Sequence, residues 1–164
     1  MGTAETGNAT EAAVLNAFVE RGFDVLLPFG GGHAFDLVVH VDGRFLRVQC
    51  KTARQRGGCL AFNSRTTDHG RGRLPYDGLA DLFGVFAAST SGVYLVPVRA
   101  ASTYISHLRT EAPLNGQRRG VRFAADYAID RWSAAALVEV VLAGRSEPAG
   151  DATPLALVSG APGG

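Results

Sequence analysis

The stretch Phe35-Asp36-Leu37-Val38-Val39-His40-Val41-Asp42-Gly43-Arg44-Phe45-Leu46-Arg47-Val48-Gln49-Cys50-Lys51-Thr52 decides how this chain folds. Two runs rich in Val, Leu and Phe flank Asp42-Gly43, a strong signal for a tight two-residue hairpin. That turn sets Asp36 opposite Gln49, Val38 opposite Arg47 and His40 opposite Phe45. Opposed residues share a face, and Lys51 joins theirs by the period of two. The other face carries Phe35, Leu37, Val39, Val41, Leu46, Val48 and Cys50, which makes it the core face. Asp36, Gln49 and Lys51 therefore converge at one end of the hairpin.

Outward from the hairpin, Asn8-Ala9-Thr10-Glu11 offers helix-capping residues and Arg21-Gly22 a cationic last turn with a glycine stop, so a helix is expected from Ala9 to Arg21. Val14, Leu15 and Phe18 form its apolar stripe, and Glu11 leans to the same side. Glu11 reads either as an N-terminal capping acid or as a carboxylate carried toward the Asp36 cluster when the helix packs on the sheet. Strands are expected over Phe23–Pro28, Leu82–Ala88 and Val93–Val98. Short helices are expected over Ser102–Arg109 and from Asp130 to Leu137, with Trp132 inside the latter. The Gly30-Gly31-Gly32 triplet reads as a turn beside the hairpin cluster. A helix, then strands, then a shorter helical part predict an α/β (α+β) sandwich about a mixed β-sheet. Residues 1–143 are expected as a single domain, and the Gly-, Pro-, Ala- and Ser-rich residues 144–164 as a disordered tail.

The chain has 164 residues, of which 46% are apolar and 19% charged, ordinary for a soluble domain. No apolar run is long enough to span a membrane. Met1 to Thr10 lacks the charged and apolar regions of a signal peptide. Cys50 and Cys59 are the only cysteines, and neither they nor the scattered histidines have zinc-ligand spacing. A reduced, cytoplasmic protein without zinc is the expectation.

Net charge is +1 but unevenly spread. Arg44, Arg47, Lys51, Arg54, Arg56, Arg65, Arg71 and Arg73 face only Asp68 in their stretch, and Arg118, Arg119 and Arg122 fall in a second basic segment. Such segments suit a polyanion on one surface, although solvated loop arginines look the same in a sequence. Fifteen of the sixteen basic residues are arginine, and Lys51 is the single lysine. Lysine offers a compact ammonium with a movable pKa, which suits handling a reacting water better than a guanidinium does. A solvated sheet face could also carry Asp, Gln and Lys together. With Glu11 beside them, however, two carboxylates, an amide oxygen and an ammonium make a site for a hard cation such as magnesium. Asp36 would anchor the ion, with Glu11, Gln49 and the Cys50 backbone carbonyl completing the protein's donors.

These residues also carry a resemblance. Gly7-Asn8-Ala9-Thr10-Glu11-Ala12-Ala13-Val14, then Phe35 to Val39, then Phe45 to Ala53 resemble the PD-(D/E)XK nucleases. Within them the chain is most similar to the branch of group I intron-encoded homing endonucleases. Tyr76 with Asp81-Leu82-Phe83-Gly84-Val85-Phe86, Val93 to Val98, Asn115-Gly116-Gln117 and Ala124-Ala125-Asp126-Tyr127 extend the likeness over roughly Gly7 to Trp132. The resemblance implies a restriction-endonuclease-like core and Mg²⁺- or Mn²⁺-dependent hydrolysis of double-stranded DNA. It places Glu11, Asp36, Gln49 and Lys51 at the active site, with Tyr76 and Asp81 as candidate supporting residues. Two departures stand out: Phe35 precedes Asp36 where the motif has proline, and Gln49 stands where it has a second acid. Arg54, Arg56, Arg65, Arg71, Arg73, Arg118 and Arg119 are the candidate DNA contacts. Cutting both strands with one site per subunit implies a homodimer or homotetramer. A Holliday-junction-resolvase-like nuclease and a non-catalytic DNA-binding module on the same fold are the rival readings.

Overall fold

The computed structural model describes residues 2–66, 75–111 and 120–143. Arg71, Arg73, Arg118, Arg119 and the expected tail lie outside them. At the centre, β2 (Leu37–Val41) and β3 (Arg44–Thr52) form the hairpin in the register the turn predicts, Val38 opposite Arg47 and His40 opposite Phe45. Asp42 and Gly43 both adopt positive φ, 47° and 74°, as a mirror-image turn requires. β1 (Asp24–Leu26) borders β2, while β6 (Leu82–Ala87) and β7 (Gly92–Pro97) extend the sheet beyond β3. The order is β1-β2-β3-β6-β7, with β3 and β6 parallel and the other pairs antiparallel, a mixed sheet.

Helix α1 (Thr3–Val19) packs on one face of that sheet. It begins six residues before the expected Ala9, because Gly2 rather than Asn8 caps it and the Glu5 carboxylate accepts the Gly2 N–H at 2.7 Å. Glu11 is thus mid-helix, and the capping reading of it falls. At the other end Arg21 donates to the Ala17 carbonyl and Gly22 turns the chain with φ 76°, the stop read from the sequence. Val14 and Phe18 are fully buried against Leu37, Val39, Leu46, Val48 and Leu95. Each such side chain contributes about 1.5–3 kcal/mol through its removal from water. Gly84 lets helix and sheet approach: a Cβ there would lie 2.6 Å from Val14 Cγ1 and 3.1 Å from Val48 Cγ1.

The opposite face of the sheet is covered as well. The segment after Lys51 forms strands β4 (Arg54–Arg56) and β5 (Cys59–Asn63), and Gly57-Gly58 turns between them with φ 52° and 70°. Residues Ile105–Arg109, expected as helix, form β8 on the far side of β5. Alternating burial along β8, with Ser106 and Leu108 inward, is the period of two that outweighs its helical reading. Leu60, Phe62 and Leu108 of this three-stranded sheet meet Phe83, Val85 and Val96 of the large one in a second core. Phe35 packs into this second core rather than beside Leu37, because β2 begins only at Leu37. A four-residue helix α2 (Ala124–Tyr127) and helix α3 (Ala134–Leu142) close the described chain. Trp132 precedes α3, whose cap is Ser133, and so lies outside the helix that was expected to contain it.

Candidate active site

Asp36 stands one residue ahead of β2, where the ladder with β3 is running out. Its own N–H still donates to the Val48 carbonyl at 2.9 Å. Beyond it no strand remains to receive the Cys50 N–H, and the Asp36 carboxylate does so instead: Oδ2 accepts from Cys50 N at 2.7 Å and from Gln49 Nε2 at 2.5 Å. Gln49 Nε2 also lies 3.3 Å from the Cys50 carbonyl oxygen. The Gln49 amide thus sits between a carboxylate and a carbonyl, and the end of it that faces them follows from the hydrogen bonding.

Glu11 reaches this cluster from the other side of the sheet. Thr10, next to it and only 2% exposed, shares a 2.6 Å hydrogen bond with Thr52 at the end of β3. That bond pins the middle of α1 to the sheet's margin, where Glu11 and Asp36 line one pocket with the Gly30–Gly32 turn. The sequence put the helix on one side of the sheet without saying which; it packs on the face opposite Gln49 and Lys51. In the sequence Thr10 reads only as a capping residue and Thr52 only as a strand end; an inward-facing Thr in an otherwise apolar helix stripe was the available signal.

Lys51 points into the second core. Its Nζ donates to Tyr76 Oη at 2.9 Å and to the Arg65 carbonyl at 3.3 Å, and lies 4.4 Å from the centre of the Tyr76 ring. Tyr76 is itself 5% exposed and set edge-on to Phe83. Burial pushes the Lys51 ammonium down to about 8, and Asp36 opposes part of that shift. Burial raises the Asp36 carboxyl, against the lowering effects of the Cys50 N–H, Lys51 and Gln49. Glu11 is raised by burial and then by Asp36, two carboxylates disfavouring each other's charge. Tyr76 is pushed up to about 12 by burial and by Asp36, so it stays a neutral phenol.

Asp81 does not join the cluster. It clamps the entry of β6 onto β3, accepting from the Arg47 N–H at 2.8 Å and from both Nε and an NH2 group of that guanidinium. Its place is structural, four residues along β3 from Lys51. Ser64 is buried and shares a hydrogen bond with Ser106. Arg54, Arg56 and Arg65 line a groove on the outer face of the small sheet.

A family model for PD-(D/E)XK endonucleases matches residues 1–130, most of the chain. The chain belongs to the PD-(D/E)XK endonuclease family. No curated protein matches this nuclease. Its fold is shared with the solved structure of a bacterial homing endonuclease, I-Ssp6803I, with a TM-score of 0.66 over 88% of this chain and 96% of that one, at 22% identity. The mixed sheet flanked by helices that the sequence implied is the architecture found. No helix among the described residues is long and apolar enough to cross a membrane.

The donor set fits a hard divalent ion of the kind the family implies. Oxygen ligands are what magnesium takes, and here two carboxylates with raised pKa values line one pocket beside a carbonyl and an amide. A cation there would relieve their repulsion. Among the described residues no group of three His, Cys, Asp or Glu is assembled, and Gln49 and the Cys50 carbonyl are the further oxygen donors that would complete such a site.

Proposed function

We propose that this protein is a divalent-metal-dependent DNA endonuclease whose site is Glu11, Asp36, Gln49 and Lys51. The observation that carries the reading is the junction of Asp36, Gln49 and Lys51 at the frayed end of one hairpin, with Glu11 brought alongside by the Thr10–Thr52 bond. Asp36, Glu11, the Gln49 amide oxygen and the Cys50 carbonyl would hold Mg²⁺ or Mn²⁺. Such an ion supplies charge neutralisation at the phosphate and activation of water. To present Oε1, the Gln49 amide turns over and gives up its bond to Asp36. Lys51 is held at a fixed angle by Tyr76, and with a pKa near 8 it can take or give a proton near neutral pH.

Arg54, Arg56 and Arg65 are the described basic residues placed to meet the phosphate backbone of double-stranded DNA. The site handles one strand at a time, so a double-strand cut calls for a homodimer or homotetramer. Nicking of supercoiled plasmid at low salt, with Mg²⁺ or Mn²⁺ against EDTA, tests the reading. Asp36→Ala and Lys51→Ala should each lower the metal-dependent rate by at least about 100-fold, the scale of a lost acid–base group. Cleavage that survives both substitutions would refute the site. Metal-independent DNA binding with no cleavage would mark a non-catalytic module.

A further inference from the structure

The outer face of the small sheet has a regular construction that the catalytic site leaves unused. Ladder pairing sets Arg54, Ala61 and His107 in one row across β4, β5 and β8, and Arg56, Cys59 and Arg109 in the next. Asn63 and Ile105 form a third row, nearest Thr52. Long cationic side chains stand along β4 and small ones along β5, so the face is a trough of about 510 Å³ with Ala61 on its floor. Among the described residues no acidic side chain lines it. Arg54, Arg56 and His107 are exposed, and their side chains have no hydrogen-bond or ion-pair partner among the described residues. Ile105 is 54% exposed, and Tyr104 is 61% exposed beneath the Arg65 guanidinium, 3.9 Å above its ring. Asn63 Oδ1 accepts the Arg65 N–H at 2.9 Å, which leaves its amide N–H groups as the donors available to a ligand. Arg65 ties the trough to the site, since it lines the one and its carbonyl accepts from Lys51 of the other.

We propose that this face is the surface with which the nuclease reads its DNA sequence. The inference rests on the endonuclease reading above and names the part of the substrate that this second surface takes. A phosphate ridge lies in the trough, where Arg54 and Arg56 fix its position. Rows two residues apart are spaced by about 6.7 Å, comparable to the through-space separation of neighbouring phosphates on one winding strand, so the two arginines meet successive phosphates. With the ridge seated there, the neighbouring groove lies over β8 and the end of β5. Asn63, Ile105 and His107 then meet base edges, Asn63 as a hydrogen-bonding amide and Ile105 as an apolar contact of the kind a thymine methyl accepts. β-sheet faces are an established means of groove readout.

The test is selection of bound duplexes from a pool of randomised 30-base-pair DNA by the full chain in EDTA, where nothing is cut. Wild type should enrich a defined motif. Asn63→Ala/His107→Ala should lose the preference at some positions of that motif and keep it at others. Arg54→Ala/Arg56→Ala should keep the motif but bind every sequence more weakly, with the slope of log K against log salt reduced by roughly 1.8, or about 0.9 per phosphate. Arg131→Ala, an exposed arginine in the α1–α3 layer, controls for loss of charge alone and should change neither. A wild type that enriches no motif, or an Asn63→Ala/His107→Ala variant with an unchanged motif, overturns the proposal. If wild type enriches a motif yet never nicks plasmid, the catalytic reading fails and this one stands. If it nicks while Asn63→Ala/His107→Ala leaves the motif untouched, this one alone fails.

Discussion

Lys51→Met removes an ammonium whose charge the space between the two sheets disfavours, while keeping a flexible chain of similar length there. Burial holds this lysine at about 8 against an ordinary 10.5. That difference corresponds to roughly 3 kcal/mol at about 1.36 kcal/mol per unit. The folded pKa lies below the unfolded one, so between pH 8 and 10.5 the unfolded chain binds the extra proton. Stability therefore rises with pH across that window, and below pH 8 the folded state carries the whole penalty. Methionine carries none, but it gives up the bonds to Tyr76 Oη and the Arg65 carbonyl, together worth about 1–2 kcal/mol. The net expectation at pH 7 is a variant about 1–2 kcal/mol more stable than wild type and devoid of nicking activity. Urea unfolding at pH 7, 8, 9 and 10 measures both parts. The wild-type curve should gain on the variant by about 1 kcal/mol per pH unit near pH 9, and groups common to both proteins cancel in the difference. A variant less stable than wild type at pH 7, or parallel pH curves, would refute the claim that Lys51 is held as a strained, readily deprotonated ammonium.

Gly84→Ala should destabilise the fold by about 1–3 kcal/mol, because its Cβ would meet Val14 Cγ1 at 2.6 Å and α1 must lift to admit it. A melting temperature lower by about 3–10 °C is the expected reading, and an unchanged one would mean that α1 does not seat as described. Gln49→Glu restores a second strand carboxylate. It should lower the Mg²⁺ concentration for half-maximal nicking by about 10-fold, well within the few kcal/mol that one extra charge about 4 Å away can supply. It should also lower metal-free stability, since the new carboxylate faces Asp36 where an amide N–H stood. An unchanged metal requirement would remove Gln49 from the ion's surroundings.

Asp42-Gly43 is a local signal, and so are the alternating residues on either side of it. That is why the hairpin, its register and the shared face of Asp36, Gln49 and Lys51 were legible in the sequence. The helix start was misplaced because Asn8 and Thr10 look like caps, whereas Gly2 with Glu5 makes the cap. Residues 105–109 read as helix because five residues hold too little of either period to decide; pairing with β5, more than forty residues back, makes them a strand. Tyr76 was visible only as a residue of family type. Its bond to Lys51 needs a side chain twenty-five positions away.

By itself, the sequence determined the central hairpin, the mixed α/β class and the residues of the candidate site, since period, turn chemistry and motif spacing are properties of neighbours along the chain. Only the tertiary structure decided the environment of those residues. It put α1 on the face opposite Lys51, drew Glu11 in through the Thr10–Thr52 bond and covered Lys51 with a second sheet. It also ranged Arg54, Arg56, Asn63 and His107 along one trough. Each of these depends on contacts between segments far apart in sequence, where burial and charge arise from what packs against a residue and not from what adjoins it.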